Sequence, residues 1–250
     1  MSHDTSQQSA PWTPEERESI SAFMRRARIH ESKLVPWGSN YTFAVVLVDP
    51  LEQFENTLAI YKPRAGEAPL WDFPDGTLYQ REYAAYLVSQ ALGWEFIPIT
   101  VIRDGPHGIG TVQAYIEPDH EEHYFKFRGD YLDELRKVAL FDLITNNADR
   151  KAGHTFLGAD DRRVWGIDHG LTFNVQPKLR TVIWEFCGER IDDALLMKLL
   201  EVSCDAELAA RLRPLLDPLE IRAFQARAER LVEIGVFPEL NPRRNVPYGW

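Results

Sequence analysis

The stretch TNNADRKAGHTFLGADDRRVWGIDHGLTFN, residues 145–174, decides how the whole chain is interpreted. It places Asp149, His154 and Asp168 beside apolar residues that favour burial. Two interpretations are open, an acidic surface loop or a site that holds metal ions and a phosphate group. Asp168 ends the apolar segment VWGID and is followed shortly by Gly170, which favours metal ligation over a surface position.

The earlier part of this stretch also has two interpretations. The carboxylate of Asp149 either pairs with the neighbouring Arg150 and Lys151 or aligns and deprotonates an acceptor. The two cations are either surface ion-pair partners or a source of positive charge in a transition state. His154 is either a polar loop residue or a metal ligand through its neutral imidazole.

The segments around this stretch divide the chain into two halves. Before it, YTFAVVLVD and TLAIYKP predict a pair of strands, TLYQREYAAYLVSQALG predicts a helix, and IPITVIRDG and IGTVQAYIEPD predict two more strands. DYLDELRKVALFDLITNN predicts a long helix, and HTFLG and RVWGIDH a small hairpin. From about residue 191 onward the chain is mostly helical in pattern. The fold class is therefore α+β, with strands concentrated in the first half.

The N-terminal region precedes these elements. Residues 1–12 are polar and predicted to be disordered. A helix is predicted over residues 13–33, with Thr13 as its cap, Pro14 in its first position and Glu16 completing a capping box.

A phosphoryl-transfer site needs a cation for the nucleotide phosphates, metal ligands and a carboxylate near the acceptor hydroxyl. Lys62 leaves the end of an apolar strand, and Glu82 lies near the buried stripe of the next helix, where a carboxylate needs a partner. A Lys62–Glu82 pair satisfies both groups, although a strand-edge lysine and an exposed helix glutamate remain alternatives. Gly38 and Ser39 form either an ordinary turn or a loop whose N–H groups face a phosphate.

Composition limits the class of protein. The 250 residues carry 28 Lys and Arg against 38 Asp and Glu, a net charge of −10 that disfavours nucleic-acid binding. Cys187 and Cys204 are the only cysteines and predict reduced thiols. We find no membrane span and no signal peptide, and we expect a cytoplasmic protein.

The segments AIYKPRAGE, LWDFPDGTLYQREYAAYLVS, TNNADRKAGH and WGIDHGLTF resemble those of the bacterial phosphatidylinositol 3/4-kinase-like family, a group of atypical kinases. The resemblance covers about residues 34–235. It implies a two-lobed protein-kinase-like fold, with an N-lobe of antiparallel sheet plus one helix over residues 34–117 and a mostly helical C-lobe over residues 118–250.

The resemblance also implies roles for individual residues. Lys62 matches the lysine that contacts the nucleotide phosphates, Glu82 the glutamate that braces it, and Asp149 the catalytic aspartate. Asp168 matches the metal-loop aspartate. His154 stands where the family pattern has a metal-binding asparagine, and its softer imidazole strengthens the case for Mn²⁺ as an alternative to the usual Mg²⁺.

The nucleotide contacts implied by the resemblance lie in two loops. The phosphate-covering loop would be residues 37–40, including Gly38, Ser39 and Asn40. The backbone of Ile116 and Glu117 would meet the adenine edge.

The resemblance predicts an ATP-dependent phosphotransferase that uses Mg²⁺ or Mn²⁺ and an unidentified hydroxyl-bearing acceptor: a protein, a lipid or a small molecule. A nucleotide-binding pseudokinase or regulatory scaffold is the alternative, because His154 departs from the family pattern. Transfer of a nucleotide such as AMP to a protein is a third possibility. Lys178, Arg180 and Trp184 are either acceptor contacts or ordinary surface and packing residues.

Overall fold

The computed structural model describes residues 11–36 and 40–248. The disorder predicted for residues 1–12 lies mostly on residues 1–10, which fall outside this description. Trp12 contradicts the prediction, because its ring packs against that of Trp165 with 5.5 Å between the ring centroids.

Helix α1 spans Pro14–Arg26 and starts as its sequence predicts. Thr13 and Glu16 form a capping box, in which each side chain accepts a hydrogen bond from the backbone of the other residue. At the opposite end, Arg103 donates to two of the last backbone carbonyls, at 2.6 and 2.8 Å. These bonds satisfy acceptors that a helix end otherwise leaves unpaired.

The helix predicted over residues 13–33 is wrong beyond residue 26. Residues Arg28–Leu34 instead form strand β1, which pairs antiparallel with strand β2, Phe43–Val48. The hydrogen bonds that β2 offers to this segment outweigh its local helical pattern, a case of tertiary context overriding propensity. The sheet of the first lobe therefore begins at residue 28 rather than 34.

The first lobe is an antiparallel sheet in the order β1-β2-β3-β5-β4, with α1 and the helix that follows β3 packed against it. The other bounds are β3 Thr57–Pro63, α2 Leu78–Ala91, β4 Thr100–Gly105 and β5 Gly108–Ala114. Successive side chains of a strand point to opposite faces. Ala59 and Tyr61 of β3 are accordingly buried in the core, whereas Ile60 and Lys62 line the cleft between the lobes.

Helix α2 is buried along most of its length, which fixes the carboxylate of Glu82 inside the protein. The carboxylate of Glu67 accepts hydrogen bonds from the backbone N–H groups of Leu78 and Tyr79, at 3.0 and 2.8 Å. Glu67 therefore caps the helix from a preceding loop. Gly93, with φ of 67°, follows the helix in the left-handed conformation that glycine adopts most easily.

The second lobe is mostly helical and carries one small hairpin. Its elements are α3 Tyr124–Phe127, α4 Leu132–Thr145, β6 Thr155–Leu157, β7 Val164–Gly166, α5 Asp193–Cys204, α6 Ala206–Leu212 and α7 Pro218–Ile234. The α+β class and the division into a sheet lobe and a helical lobe are as predicted. None of the helices within the described residues combines the length and apolar character needed to cross a bilayer.

Candidate active site

A cavity of about 550 Å³ lies between the sheet lobe and the helical lobe. Its walls come from β3, β5 and α2 on one side and from residues 149–156 and 167–171 on the other. A cavity of this size, with apolar walls and a few convergent polar groups, is typical of a small-molecule or cofactor site.

Lys62 joins the two lobes inside this cavity. Its Nζ atom lies 3.2 Å from Oε2 of Glu82 and 2.8 Å from Oδ1 of Asp168. Burial disfavours the ammonium charge, but the carboxylates of Asp168 and Glu82 outweigh it and raise the pKa of Lys62. Lys62 is therefore a fixed positive charge at the centre of the cavity.

Glu82 is held by both lobes. Its side chain is only 3% exposed, and Oε2 accepts a hydrogen bond of 2.9 Å from the backbone N–H of His169. Burial raises its pKa, but Lys62 and the side chain of His169 prevail and hold the pKa of Glu82 well below its usual range. The glutamate is thus a buried carboxylate whose charge depends on these two partners.

Asp168 projects into the cavity from the end of a buried strand. Its backbone is left-handed, with φ of 64°, a conformation that aspartate tolerates better than most residues. Although 52% of the side chain is accessible, Lys62 first, and then His154, hold the pKa of Asp168 well below its usual range against the effect of burial in the cavity. The carboxylate therefore stays charged and open to a ligand.

His154 lies in a short 3₁₀ turn, Ala152–His154, beside Asp168. Its Nδ1 is 2.8 Å from the carbonyl oxygen of Asp149, so Nδ1 carries the proton. This bond outweighs a 3.5 Å approach by the N–H of Lys151 to the same nitrogen. Burial lowers the pKa of His154, although the carboxylate of Asp168 acts in the opposite direction, and Nε2 faces Oδ2 of Asp168 at 3.3 Å.

Two electron-rich atoms at this distance repel each other unless a proton or a cation lies near both. Nε2 of His154 and Oδ2 of Asp168 are therefore placed so that they could share either a proton or a metal ion. Over residues 11–36 and 40–248, no group of three or more His, Cys, Asp and Glu side chains forms a metal site. A metal here would need its remaining ligands from water or from a bound molecule.

Asp149 faces the same cavity from the loop after α4. Its Oδ2 lies 3.0 Å from Nζ of Lys151, and its backbone N–H donates to Oδ1 of Asn147 at 3.0 Å. Burial raises the pKa of Asp149, an effect that Lys151 only partly offsets. A carboxylate with a raised pKa is a better proton acceptor than an ordinary aspartate.

Arg150 and Lys151, which the sequence leaves equivalent, have different environments. Arg150 is fully buried and binds both carboxylate oxygens of Asp142 at 2.9 Å, so the surface ion-pair interpretation is wrong for it. It also donates to the backbone carbonyls of His154 and Ile167, at 3.0 and 3.2 Å. Lys151 instead lines the cavity beside Asp149.

The predicted nucleotide-contacting loops are only partly described. Gly38 and Ser39 lie outside the described residues. Asn40 lines the cavity, and its Oδ1 accepts from the N–H of Ala68 at 2.8 Å. Ile116 also lines the cavity, whereas the carbonyl of Glu117 accepts a bond of 2.8 Å from the N–H of Ala159.

The three residues considered as acceptor contacts are held by neighbours. Lys178 pairs with Asp72 at 2.7 Å and is only 10% exposed. The guanidinium of Arg180 stacks on Tyr248, and the indole N–H of Trp184 donates to a backbone carbonyl at 2.6 Å. These contacts favour the interpretation of Lys178, Arg180 and Trp184 as structural residues.

Two residues of the site, His169 and Asp142, were not predicted from the sequence. Both side chains are fully buried, and both belong to the polar network beneath the cavity. The position of His169 directly after Asp168 could have identified it as a site residue, because a side chain next to a carboxylate at the end of a buried strand lies close to the site of that carboxylate. Asp142 gave no signal, because an acidic residue inside a helix is usually exposed.

Comparisons with known proteins support the fold. No protein-family model matches this chain. Protein Rv2133c of Mycobacterium tuberculosis (strain ATCC 25618 / H37Rv) is 39% identical over 84% of this chain and 88% of its own length. The structure of hydra Fam20 with sugar matches 93% of this chain and 92% of its own, with a TM-score of 0.62 and 14% identity.

A second solved structure, the Golgi casein kinase with Mn/ADP bound, matches 92% of this chain and 81% of its own. Its TM-score is 0.56 and its identity 13%. At such low identity these likenesses show the fold alone. The two-lobed kinase-like fold predicted from the sequence is thereby confirmed.

Proposed function

The chain belongs to the family of Protein Rv2133c, and we propose that it transfers a phosphoryl group from ATP to a hydroxyl-bearing acceptor. One observation carries the proposal. In a cleft between the lobes of a kinase-like fold, Lys62 lies between Glu82 and Asp168, and Asp149 faces the same cavity. This set supplies a phosphate-binding cation, a metal-binding carboxylate and a proton acceptor.

The lining of the cleft supports ATP as its ligand. Ile60, Ile116 and Ile167 line the cavity and offer an apolar wall for the adenine ring. Lys62 would contact the phosphates, and Glu82 would keep its ammonium in place. The Golgi casein kinase, a protein of similar fold with Mn/ADP bound, supports a nucleotide and a divalent cation as ligands of this chain.

Asp168 and His154 would hold a divalent metal through Oδ2 and Nε2. Such a metal neutralises charge on the nucleotide phosphates. The carbonyl of Asp149 holds the Nδ1–H of His154, which keeps the lone pair of Nε2 directed at Asp168. Because imidazole is a softer donor than the amide of asparagine, this pair favours Mn²⁺ more than an all-oxygen site does.

Asp149 would orient the acceptor hydroxyl for in-line attack. The acceptor oxygen bonds to the γ-phosphorus, the bond from that phosphorus to the β–γ bridging oxygen breaks, and ADP leaves. The hydroxyl proton passes to Asp149, whose pKa burial raises. Lys151, 3.0 Å from Asp149, adds a positive charge near the transferred group.

The acceptor is the open part of this proposal. The narrower resemblance to phosphatidylinositol 3/4-kinase-like proteins rests on the motifs AIYKPRAGE and WGIDHGLTF. A protein, a lipid or a small molecule each satisfies the requirement for a hydroxyl group. Mass spectrometry of products distinguishes phosphoryl transfer, which adds about 80 Da, from transfer of a nucleotide, which adds the larger AMP group.

The test is ATP turnover and phosphoryl transfer with Mg²⁺ and with Mn²⁺, in the wild type, Asp149→Asn and Asp168→Ala. Both variants are expected to lose transfer, and Asp149→Asn to keep nucleotide binding. A matched control is His30→Gln, at an exposed position of β1. Equal inactivity of the wild type and both variants with either metal would remove the enzyme proposal.

One observation favours a second function, a pseudokinase that binds ATP without phosphoryl transfer. His154, rather than an amide, stands beside Asp168. A pseudokinase tolerates this residue because it does not need a metal held in ideal geometry. Thermal-shift titration separates the two functions. Stabilisation by ATP without any turnover would indicate binding alone.

A further inference from the structure

His169 lies at the centre of a buried polar network that the proposed mechanism leaves unused. The residue is fully buried, and its ring meets those of Phe96 and Phe141 edge-on, with centroids 6.1 and 5.6 Å apart. Two charged side chains, Arg150 below and Glu82 above, reach this ring from opposite lobes. A polar group enclosed in this way is costly unless its hydrogen bonds are made.

The contact with Arg150 fixes the tautomer of His169. Nη2 of Arg150 lies 2.8 Å from Nε2 of His169. A guanidinium only donates hydrogen bonds, so Nε2 must be the acceptor and Nδ1 must carry the proton. Arg150 is itself fixed by Asp142, which accepts from it at 2.9 Å with each carboxylate oxygen.

The protonated Nδ1 faces the second oxygen of Glu82. Oε2 of Glu82 already accepts from the backbone N–H of His169 at 2.9 Å, and Oε1 lies 3.8 Å from Nδ1. Within the described part of the chain, neither Oε1 nor Nδ1 has a hydrogen-bond partner, and both are buried. A small rotation of either side chain pairs the two atoms, which removes two costly unpaired groups together.

We infer that His169 is a positioning residue for the proposed phosphoryl transfer, locking the Glu82–Lys62 pair of one lobe to the Arg150–Asp142 pair of the other. Its Nδ1–H and backbone N–H hold Glu82, and through it Lys62, at the phosphates. Its Nε2 accepts from Arg150, which supports the loop that carries Asp149. The two ring nitrogens therefore serve different parts of the reaction.

Two amide substitutions separate these contacts. His169→Gln places a carbonyl oxygen near the position of Nε2, which preserves the acceptor for Arg150 and removes the donor to Glu82. His169→Asn places an amide N–H₂ near the position of Nδ1, which preserves the donor and removes the acceptor. His30→Gln and His30→Asn, at an exposed position of β1, are the matched controls.

We expect the two variants to change different kinetic constants. His169→Gln should raise the KM for ATP and the Kd of an ATP analogue about tenfold, the effect of one hydrogen bond to a charged group. His169→Asn should lower kcat about tenfold and change the Kd less than about threefold. The inference would be overturned if both variants lost kcat and ATP affinity together, in proportion to their loss of thermal stability.

Nitrogen-15 NMR of the histidine rings in the wild type tests the tautomer without any turnover. The inference requires a protonated Nδ1 and an unprotonated Nε2 at His169. The opposite tautomer, in a protein that binds ATP, would overturn the role of His169 and leave the proposed function standing. A wild type that fails to bind ATP would remove the proposed function, and with it any role of His169 in catalysis.

Discussion

The pair formed by Lys62 and Glu82 predicts a large coupling energy in a double-mutant cycle. Lys62→Met leaves Glu82, whose side chain is 3% exposed, as a buried carboxylate with no ammonium beside it and Asp168 nearby. Removing one partner of a buried ion pair costs about 3 kcal/mol of unfolding free energy. Glu82→Gln alone costs less, about 1–2 kcal/mol, because Lys62 keeps its 2.8 Å contact with Asp168.

The double variant carries no unpaired buried charge at these two positions. It should therefore be about as stable as Lys62→Met, which corresponds to a coupling energy equal to the cost of Glu82→Gln alone, about 1–2 kcal/mol. A matched control is the exposed pair Lys198–Glu201, with a separation of 2.6 Å and side chains 45% and 54% exposed. Its coupling energy should stay below about 0.5 kcal/mol despite the shorter distance.

Urea unfolding at pH 7, followed by both circular dichroism and tryptophan fluorescence, measures the unfolding free energy of the seven proteins of the two cycles, which share the wild type. Coincident curves from the two probes support the use of a single free energy. Added salt should weaken the control pair more than the buried pair, because buried charges are screened less. A coupling energy for Lys62 and Glu82 no larger than that of the control pair would refute the arrangement described for the cleft.

Three further predictions concern the loop between α4 and β6. Burial raises the pKa of Asp149 in the folded protein. Ionisation of Asp149 therefore destabilises the fold once the pH exceeds the pKa of this group in the unfolded chain, and the effect is complete when the pH exceeds its pKa in the folded protein. Asp149→Asn should therefore raise the thermal midpoint relative to the wild type at pH 7–8, and the difference should vanish below about pH 4; a difference that does not change with pH would contradict this. Arg150→Met should lower the free energy of unfolding in urea by about 3–5 kcal/mol, because it leaves a buried carboxylate without its partner. Lys151→Met, at a side chain 32% exposed, should cost less than about 1 kcal/mol of stability but lower turnover. Equal losses of stability would show that the two cations have similar environments. His154→Asn replaces imidazole with an amide oxygen and should raise activity with Mg²⁺ relative to activity with Mn²⁺, and an unchanged ratio would argue against metal ligation by this residue.

Much of the architecture could be predicted from the sequence because the relevant patterns are local. The β-branched runs of β2 and β3, the apolar spacing of α2 and the turn residues between them each indicate their own element. Strand β1 could not be found in this way. Its residues are mostly exposed and it is defined by pairing with β2, a contact that no short window of sequence contains.

The candidate site, like the fold, was predictable only where its sequence signals are local. The structure brings Lys62, Glu82 and Asp168 into contact, in keeping with the order of the motifs, while their chemical roles stay predictions. The burial of Arg150 was not predictable, because a charged residue in a loop is usually exposed and only tertiary packing reveals its bond to Asp142.

Crystallographic analysis of the protein with a non-hydrolysable ATP analogue and Mn²⁺, using anomalous scattering to locate the metal, is the decisive test of the proposed nucleotide site. We expect phosphates within hydrogen-bonding distance of Nζ of Lys62. We also expect the anomalous peak of manganese at bonding distance from Oδ2 of Asp168 and Nε2 of His154. Phosphates bound away from Lys62, or a cleft that stays empty at saturating analogue concentration, would contradict this site.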